Sequence, residues 1–299
     1  MSKKVLVIYY SQTGQLGLIL DHFTAPLEQS GHLVEKVRIE PETPYPFPWT
    51  GRSFFAQMPD SVLGVTTPLR PFTLREKKYD LIILGYQAWF LSPSIPSNSL
   101  LNHPSMQDIL ADTPVVTITG ARNMWISAME RIKKTLKEKN ARLVGNIALA
   151  DRHHNFVSFV TILYWMFSGK KDRYLNIFPI PGVAQQDIEG TGVYGSLVEK
   201  HLTSGNWENL QAELVGHGAV EVKYNLMFIE SKARKIFAIW AGLISKKKNK
   251  TAWLVAFKYY LLIALFIAAP IILTVDALFF KPFLSARIKR QKQYYSGIN

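Results

Sequence analysis

Residues 5–14, Val5-Leu6-Val7-Ile8-Tyr9-Tyr10-Ser11-Gln12-Thr13-Gly14, decide how this chain is read. The unbroken apolar run Val5–Tyr10 fits a strand buried on both faces of a parallel sheet, where no alternation with polar residues is needed. Ser11–Gly14 breaks the run. From Leu16 to Leu27 apolar residues recur at helical spacing (Leu16, Leu18, Ile19, Leu20, Phe23, Leu27), and Gly31 closes that helix. A strand that turns sharply into a helix presents hydroxyls and backbone N–H groups at the positive end of a helix dipole, a setting that takes a phosphate. Gly14 would let the backbone approach the anion closely. The loop has no lysine and no GxxxxGK[ST] pattern, which separates it from a nucleoside-triphosphate loop. An ordinary helix cap reads the same way, so the assignment needs support from elsewhere in the chain.

That support comes from the strands further on. Leu33–Ile39 alternates like an edge strand, Leu81–Leu84 ends at Gly85, and Val115–Ile118 ends at Thr119 and Gly120. A helix from about Trp125 to Lys139 leads into Leu143–Leu149, the last strand. Strands separated by helix-length segments imply right-handed crossovers and an α/β, doubly wound parallel sheet. With order 2-1-3-4-5, the ligand sits outside the carboxyl ends of the strands, at the switch point. The loops after the third and fourth strands, Gly85–Pro93 and Thr119–Trp125, should then flank a flavin ring whose phosphate the first loop holds. Within them Gln87, Ala88, Trp89 and Phe90, and Thr119, Gly120, Ala121, Asn123 and Trp125, supply aromatic faces and amide or backbone donors. Ordinary core packing is the competing reading for both tryptophans. Residues 41–76, rich in proline and aromatics, do not read as a crossover helix; a lid or substrate wall is expected there.

VLVIYYSQTGQL, LIILGYQAWFLSPSIPS and TITGARNMW resemble flavodoxins and flavodoxin-like quinone reductases. With its long C-terminal extension, the whole chain more specifically resembles the dialkylresorcinol condensing enzymes of bacterial dialkylresorcinol and flexirubin-type pigment pathways. The resemblance implies FMN as cofactor. Ser11, Thr13 and Gly14 would hold its phosphate, with Gln12, Gln15 and Leu16 contributing backbone; Leu16 stands where many flavodoxins carry a second threonine. It implies residues 1–205 as the flavodoxin-like domain and 206–299 as an extension. Condensation itself is excluded, because thiolase-like enzymes form a thioester on cysteine and the chain has none. The implied step is instead oxidation of a dialkyl cyclohexanedione, made by a ketosynthase-like partner, to the aromatic resorcinol. A general quinone reductase or electron-transfer protein is the alternative, and a flavin-free scaffold for a pathway partner is a second.

Aromatisation needs a group that moves a proton α to a carbonyl. Asp151-Arg152-His153-His154 follows the last strand and should emerge beside the flavin loops. His153 and His154 are candidate proton-transfer groups near neutral pH, and Arg122 is a candidate for stabilising an enolate. No metal site is expected, since the histidine pair has no further ligand at a telling spacing.

Absence of cysteine also excludes disulfides and thiolate metal sites, and fits a reducing cytoplasm. The N-terminus lacks the apolar core and cleavage site of a signal peptide. Net charge is +13, but residues 1–245 hold 25 basic and 21 acidic residues, whereas 246–299 hold 10 basic residues against Asp276 alone. The charge excess is thus concentrated beside the most apolar stretch, 252–280, which points to an anionic membrane surface instead of nucleic acid; the lipid-like substrate is what the resemblance implies. Tyr259–Val275 is a run of 17 uncharged residues, borderline for a span. Basic residues flank it on both sides (Lys246, Lys247, Lys248 and Lys250; then Lys281, Arg287, Lys289, Arg290 and Lys292) and Pro270 lies near its middle. The expectation is a re-entrant hairpin or interfacial anchor on the cytoplasmic side of the inner membrane, ahead of a single span and of a soluble helix buried in a dimer.

Overall fold

The computed structural model describes residues 2–298. Its centre is a parallel sheet of β1 (Lys4–Tyr9), β2 (Leu33–Arg38), β3 (Leu81–Tyr86), β6 (Pro114–Ala121) and β7 (Arg142–Ala150), in the order β2-β1-β3-β6-β7. Counting these strands alone, this is the expected 2-1-3-4-5 order of a flavodoxin-like doubly wound sheet. The innermost strand, β3, is buried at all six positions, as its unbroken apolar run requires, while edge strand β2 has no fully buried residue. The register Tyr9↔Gly85 and Tyr86↔Thr119 brings the ends of β1, β3 and β6 level, so their loops share one edge of the sheet.

Close approach explains two of the glycines. A Cβ on Gly85 would stand 2.6 Å from Tyr9 Cβ, and one on Gly195 would overlap the Phe23 carbonyl oxygen. The second contact lets the helix Gly192–Ser204 lie directly on Gln15–Gln29.

Beyond residue 205 the chain returns to the same core. Leu210, Leu214, Ala219, Val220, Val222, Tyr224 and Met227 are buried with the sheet residues, and Ala148 N–H donates to the Ala219 carbonyl at 2.9 Å along the outer edge of β7. The long helix Tyr224–Ser245 then crosses the molecule to a second cluster, where Phe237, Ala241 and Ile244 meet Met58 and Val62 from the insertion and Phe257 from the tail. In the insertion, 41–76, two short helices, Gly51–Ala56 and Met58–Leu63, stand where a crossover helix would.

The tail does not reverse. Lys250–Ser296 is one helical run of 47 residues and the one candidate membrane span among the described residues. Pro270 lies just after a π-helical turn, Ala264–Ala268, and starts the next α-helical turns, Ala269–Val275. Proline is tolerated where the i→i−4 ladder is already loosened, so the helix continues past Pro270 in place of the expected hairpin. The run is attached to the body along its length. Phe257 is buried against Phe237, Phe266 stacks on Phe156, Asp276 accepts a hydrogen bond from Tyr224 Oη, and Tyr294 Oη donates to Glu130. Its outer side exposes Val255, Tyr259, Ile263, Ile267, Ile271, Val275 and Leu278, a stripe at helical spacing.

Candidate functional site

The first loop forms as the sequence predicts. Gly14 takes φ +84° at the N-cap of Gln15–Gln29, with nothing within 4 Å of the place a Cβ would occupy. No side chain caps this helix, so its first N–H groups lack the acceptors they would find further along; Gln15 N–H reaches Thr13 Oγ1 only at 3.5 Å. Ser11 is 1% exposed and its Oγ has no partner. A buried hydroxyl left unpaired costs free energy, about 1–3 kcal/mol, unless a ligand completes it. Arg38, at the end of β2, donates to the Ser11 carbonyl at 3.0 Å and puts a cation beside the loop. These groups fit a phosphate.

Gln12, Gln15 and Leu16 have further duties. Gln12 Oε1 accepts from Trp49 Nε1 and its Nε2 donates to the Pro46 carbonyl, both at 3.1 Å, which ties the insertion to the loop. Gln15 faces Val183: its Oε1 accepts from Val183 N–H and its Nε2 donates to the carbonyl. Leu16 packs beneath Gly85 and offers only backbone.

The loop after β3 is a small hairpin, β4 (Ala88–Trp89) and β5 (Ser92–Pro93), turning at Phe90 and Leu91. Both turn residues have positive φ, 48° and 62°. Two-residue hairpins favour this conformation, normally with asparagine or glycine; here two bulky residues accept the strain, and strain of this kind clusters at functional sites. Gln87 Oε1 accepts from Gln12 N–H at 3.4 Å, linking the hairpin to the first loop. Trp89 packs edge-on against Tyr10, Tyr45 and Trp49, with centroids 5.1–6.0 Å apart. Phe54 continues the cluster from Trp49 to Phe90, and Phe55 carries it on to Phe257 in the tail. The insertion is therefore a wall over this edge of the sheet, in contact with the tail.

In the loop after β6 the structure departs from a simple ring-flanking surface. Thr119 is fully buried and its hydroxyl donates to the Tyr86 carbonyl at 2.8 Å; Trp125 is buried in the core at the start of Ile126–Glu138. For Trp125 the packing reading is the correct one. Gly120 lies against Ile19 and Val183, and the Ala121 carbonyl accepts from Asp151 N–H. Asn123 is bonded to Asn155 Oδ1, while its own Oδ1 is buried without a partner.

Asp151, fully buried at its carboxylate, accepts from His153 N–H at 2.9 Å and lies 2.7 Å from His153 Nδ1. That pairing fixes the tautomer with the proton on Nδ1 and leaves Nε2 of a partly exposed ring as the basic atom. His154 instead caps the helix Asn155–Ser168, its Nδ1 accepting from Phe156 N–H. Arg122 is also turned inward. Its guanidinium donates to the Asn155 carbonyl and Oδ1 and lies 5.6 Å from the Phe159 ring centroid; burial lowers its pKa to about 10, opposed by Asp151. Both residues therefore brace Asn155–Ser168, the helix that passes over the insertion through the Trp49 N–H to Met166 carbonyl bond.

Glu230 was not singled out in the sequence. It is 1% exposed on the long helix, accepts from Ser127 N–H at 2.6 Å, and leaves its second oxygen unpartnered. Burial pushes its carboxyl up to about 7, against the lowering effects of the Ser127 and Ile126 N–H groups and Arg234. The fully buried Tyr86 hydroxyl, also unpartnered, is raised by burial and then by the nearby Glu230 charge.

No protein-family model and no curated protein matches the chain. Solved structures similar to it include a flavoprotein from Bacteroides eggerthii (20% identity, TM-score 0.40, covering 50% of this chain and 89% of that one). A flavoprotein in complex with FMN from Lactobacillus acidophilus gives 16% identity and a TM-score of 0.41, over 49% of this chain and 93% of that one. A flavodoxin from the domain Archaea gives 10% identity and 0.40, over 67% and 99%. The fold assignment rests on the strand order of the chain itself, which is that of a flavodoxin-like sheet.

Proposed function

We propose that this protein is an FMN-dependent oxidoreductase that works at a membrane surface on a lipid-soluble ring. The observation that carries the cofactor is the turn at Ser11–Gly14: an uncapped helix N-terminus, a left-handed Gly14 and a buried, unpartnered Ser11 hydroxyl. Ser11, Thr13 and the N–H groups of residues 14–16 would hold the phosphate, with Arg38 alongside. The Gln87–Phe90 hairpin and Trp49 would bound the ring.

When bound, FMN supplies the acceptor for a hydride. The substrate that best suits the aromatic wall and the apolar tail is a dialkyl cyclohexanedione, which becomes a dialkylresorcinol by losing two hydrogens. His153 Nε2 removes a proton α to a carbonyl, and Asp151 holds the imidazolium that forms; the second hydrogen leaves with its electron pair, and tautomerisation completes the ring. Trp89, Trp49 and Tyr45 exclude water from that edge. A ketosynthase-like enzyme would supply the dione. The exposed stripe of the tail would lie in the cytoplasmic leaflet, with its basic flanks on anionic headgroups.

The test is FMN-loaded, full-length protein given a dialkyl cyclohexanedione, followed by mass spectrometry. Product lighter by two hydrogens is expected. Turnover with NAD(P)H and a quinone, but none with the dione, would replace this reading with the quinone-reductase one. A gently purified protein without flavin absorbance that takes up no added FMN would leave the scaffold.

A further inference from the structure

An open trough of about 680 Å³ lies between the helix Leu210–Gly216 and the end of the tail, and no residue of the first loop lines it. Its size is in the range of small-molecule sites. Ala212, Val215 and Ile288 supply apolar walls, and Lys281, Lys289 and Lys292 stand along it. The spacing 281, 285, 288, 292, 296 is that of one helix face, so the tail lays a single stripe along the trough. Among the described residues, no acidic side chain lines it. Among the described residues, Lys281, Lys289 and Lys292 make no ion pair within 4.0 Å; Lys281 Nζ lies 5.6 Å from the centroid of Tyr224, whose hydroxyl is bonded to Asp276.

Two features of the surroundings narrow the ligand. The trough begins where the exposed apolar stripe of the tail ends, at Leu278, Phe279, Phe280 and Phe283, the last of these 85% exposed. Residues of that kind enter the acyl region of a bilayer, which places the lysines that follow at headgroup depth. An apolar wall beside three unneutralised ammonium groups matches a molecule with an alkyl chain and an anionic head. A free phosphate would use the lysines and leave the wall wet. A zwitterionic lipid would bring its own cation to them.

We propose that this trough binds one anionic phospholipid, its chain against Ala212, Val215 and Ile288 and its phosphate on Lys281, Lys289 and Lys292. The assignment rests on the membrane-surface reading only for the source of the lipid, and not on the flavin. Bound there, the lipid bridges the tail to the body of the protein.

The experiment is native mass spectrometry of full-length protein released from nonionic detergent, with phosphatidylglycerol or phosphatidylcholine of the same chain length. Wild type should retain one phosphatidylglycerol, with phosphatidylcholine weaker by about tenfold or more. Lys289→Gln/Lys292→Gln should lose about tenfold in retention, and so should Ala212→Phe, which fills the exposed wall without touching a charge. Lys77→Gln/Lys78→Gln removes the same charge at exposed positions outside the tail and should retain the lipid. Equal loss in that control, undiminished binding in Ala212→Phe, or binding of inorganic phosphate alone as tight as that of the lipid would each overturn the proposal. Thermal midpoints are read alongside, so that an unfolded variant is recognised and replaced by Val215→Phe at the same wall. Lipid loss with FMN content unchanged concerns this site alone; FMN loss with lipid retained concerns the first loop alone.

Discussion

At the scale of single residues, the unpaired groups are the informative ones. Ser11 Oγ is left without a partner, and no side chain caps the helix that begins after Gly14, where a phosphate would complete both. Thr13→Asp places a carboxylate at that position and should abolish FMN retention, read as flavin absorbance per mole of purified protein; undiminished flavin would move the cofactor elsewhere. Asp151→Asn should slow dione oxidation by about 100-fold, the scale of a misplaced general base, with FMN content unchanged. Equal turnover in that variant would remove His153 from the proton step. Glu230 makes a prediction about stability. Its folded carboxyl, near 7, binds a proton more readily than the unfolded one, near 4.5. The favourable contribution is therefore complete below pH 4.5 and is lost as pH rises through 7, by up to about 3 kcal/mol. Glu230→Gln keeps an acceptor for Ser127 N–H and carries no charge. Its melting temperature should match wild type near pH 5 and exceed it by a few degrees at pH 8; parallel curves would mean that Glu230 does not titrate there.

At the scale of elements, the insertion and the hairpin act together. Gln12 is bonded through its side chain to both Trp49 and Pro46, so the element that covers the site is fastened to the loop that would hold the phosphate. Trp49→Phe removes one hydrogen bond worth about 1 kcal/mol and should speed FMN dissociation several-fold, measured by flavin fluorescence on dilution. An unchanged rate would show that the insertion does not gate the cofactor. Elsewhere an element depends on a missing side chain: the helix Gly192–Ser204 rests on Gln15–Gln29 only because Gly195 has none. Gly195→Ala must push the two helices apart and should cost about 1–3 kcal/mol in denaturant unfolding.

At the scale of the molecule, the tail is held against the body at Phe257, Phe266, Asp276 and Tyr294. No stretch of about 20 residues stands free of those attachments, which is what a spanning helix would need. The helix touches the body through a few side chains and otherwise exposes its apolar residues, which the proposed surface reading would lay in the plane of a leaflet. Both basic flanks can then face the same surface without a chain reversal. Ile263→Lys/Ile267→Lys/Ile271→Lys alters only exposed positions. It should release the protein from sedimenting vesicles that contain anionic lipid while leaving its fold and flavin content intact. Continued sedimentation would show that the stripe is not the membrane contact.

The sequence by itself determined the sheet, because strands buried on both faces read as apolar runs, as in β1 and β3. β6 departs from this only at Thr117 and Thr119, whose hydroxyls are bonded inside the fold. It also determined the shape of the first loop, since a strand, a glycine turn and an amphipathic helix are consecutive in the chain. Asp151 and His153 stand in one quoted motif, but their pairing was seen only in the structure. What only the tertiary structure decided joins residues distant in the chain. Trp125 reads like a ring-stacking residue but is enclosed by the core, and Arg122 reads like an oxyanion group but is spent on Asn155. Glu230 is one acid in a long helix until folding seals it against Ser127. The tail's composition allowed a hairpin, a span or a surface helix. That the run continues as one helix and meets the body at Phe257 and Asp276 came from the tertiary structure, because hydropathy along a chain does not record which residues make such contacts.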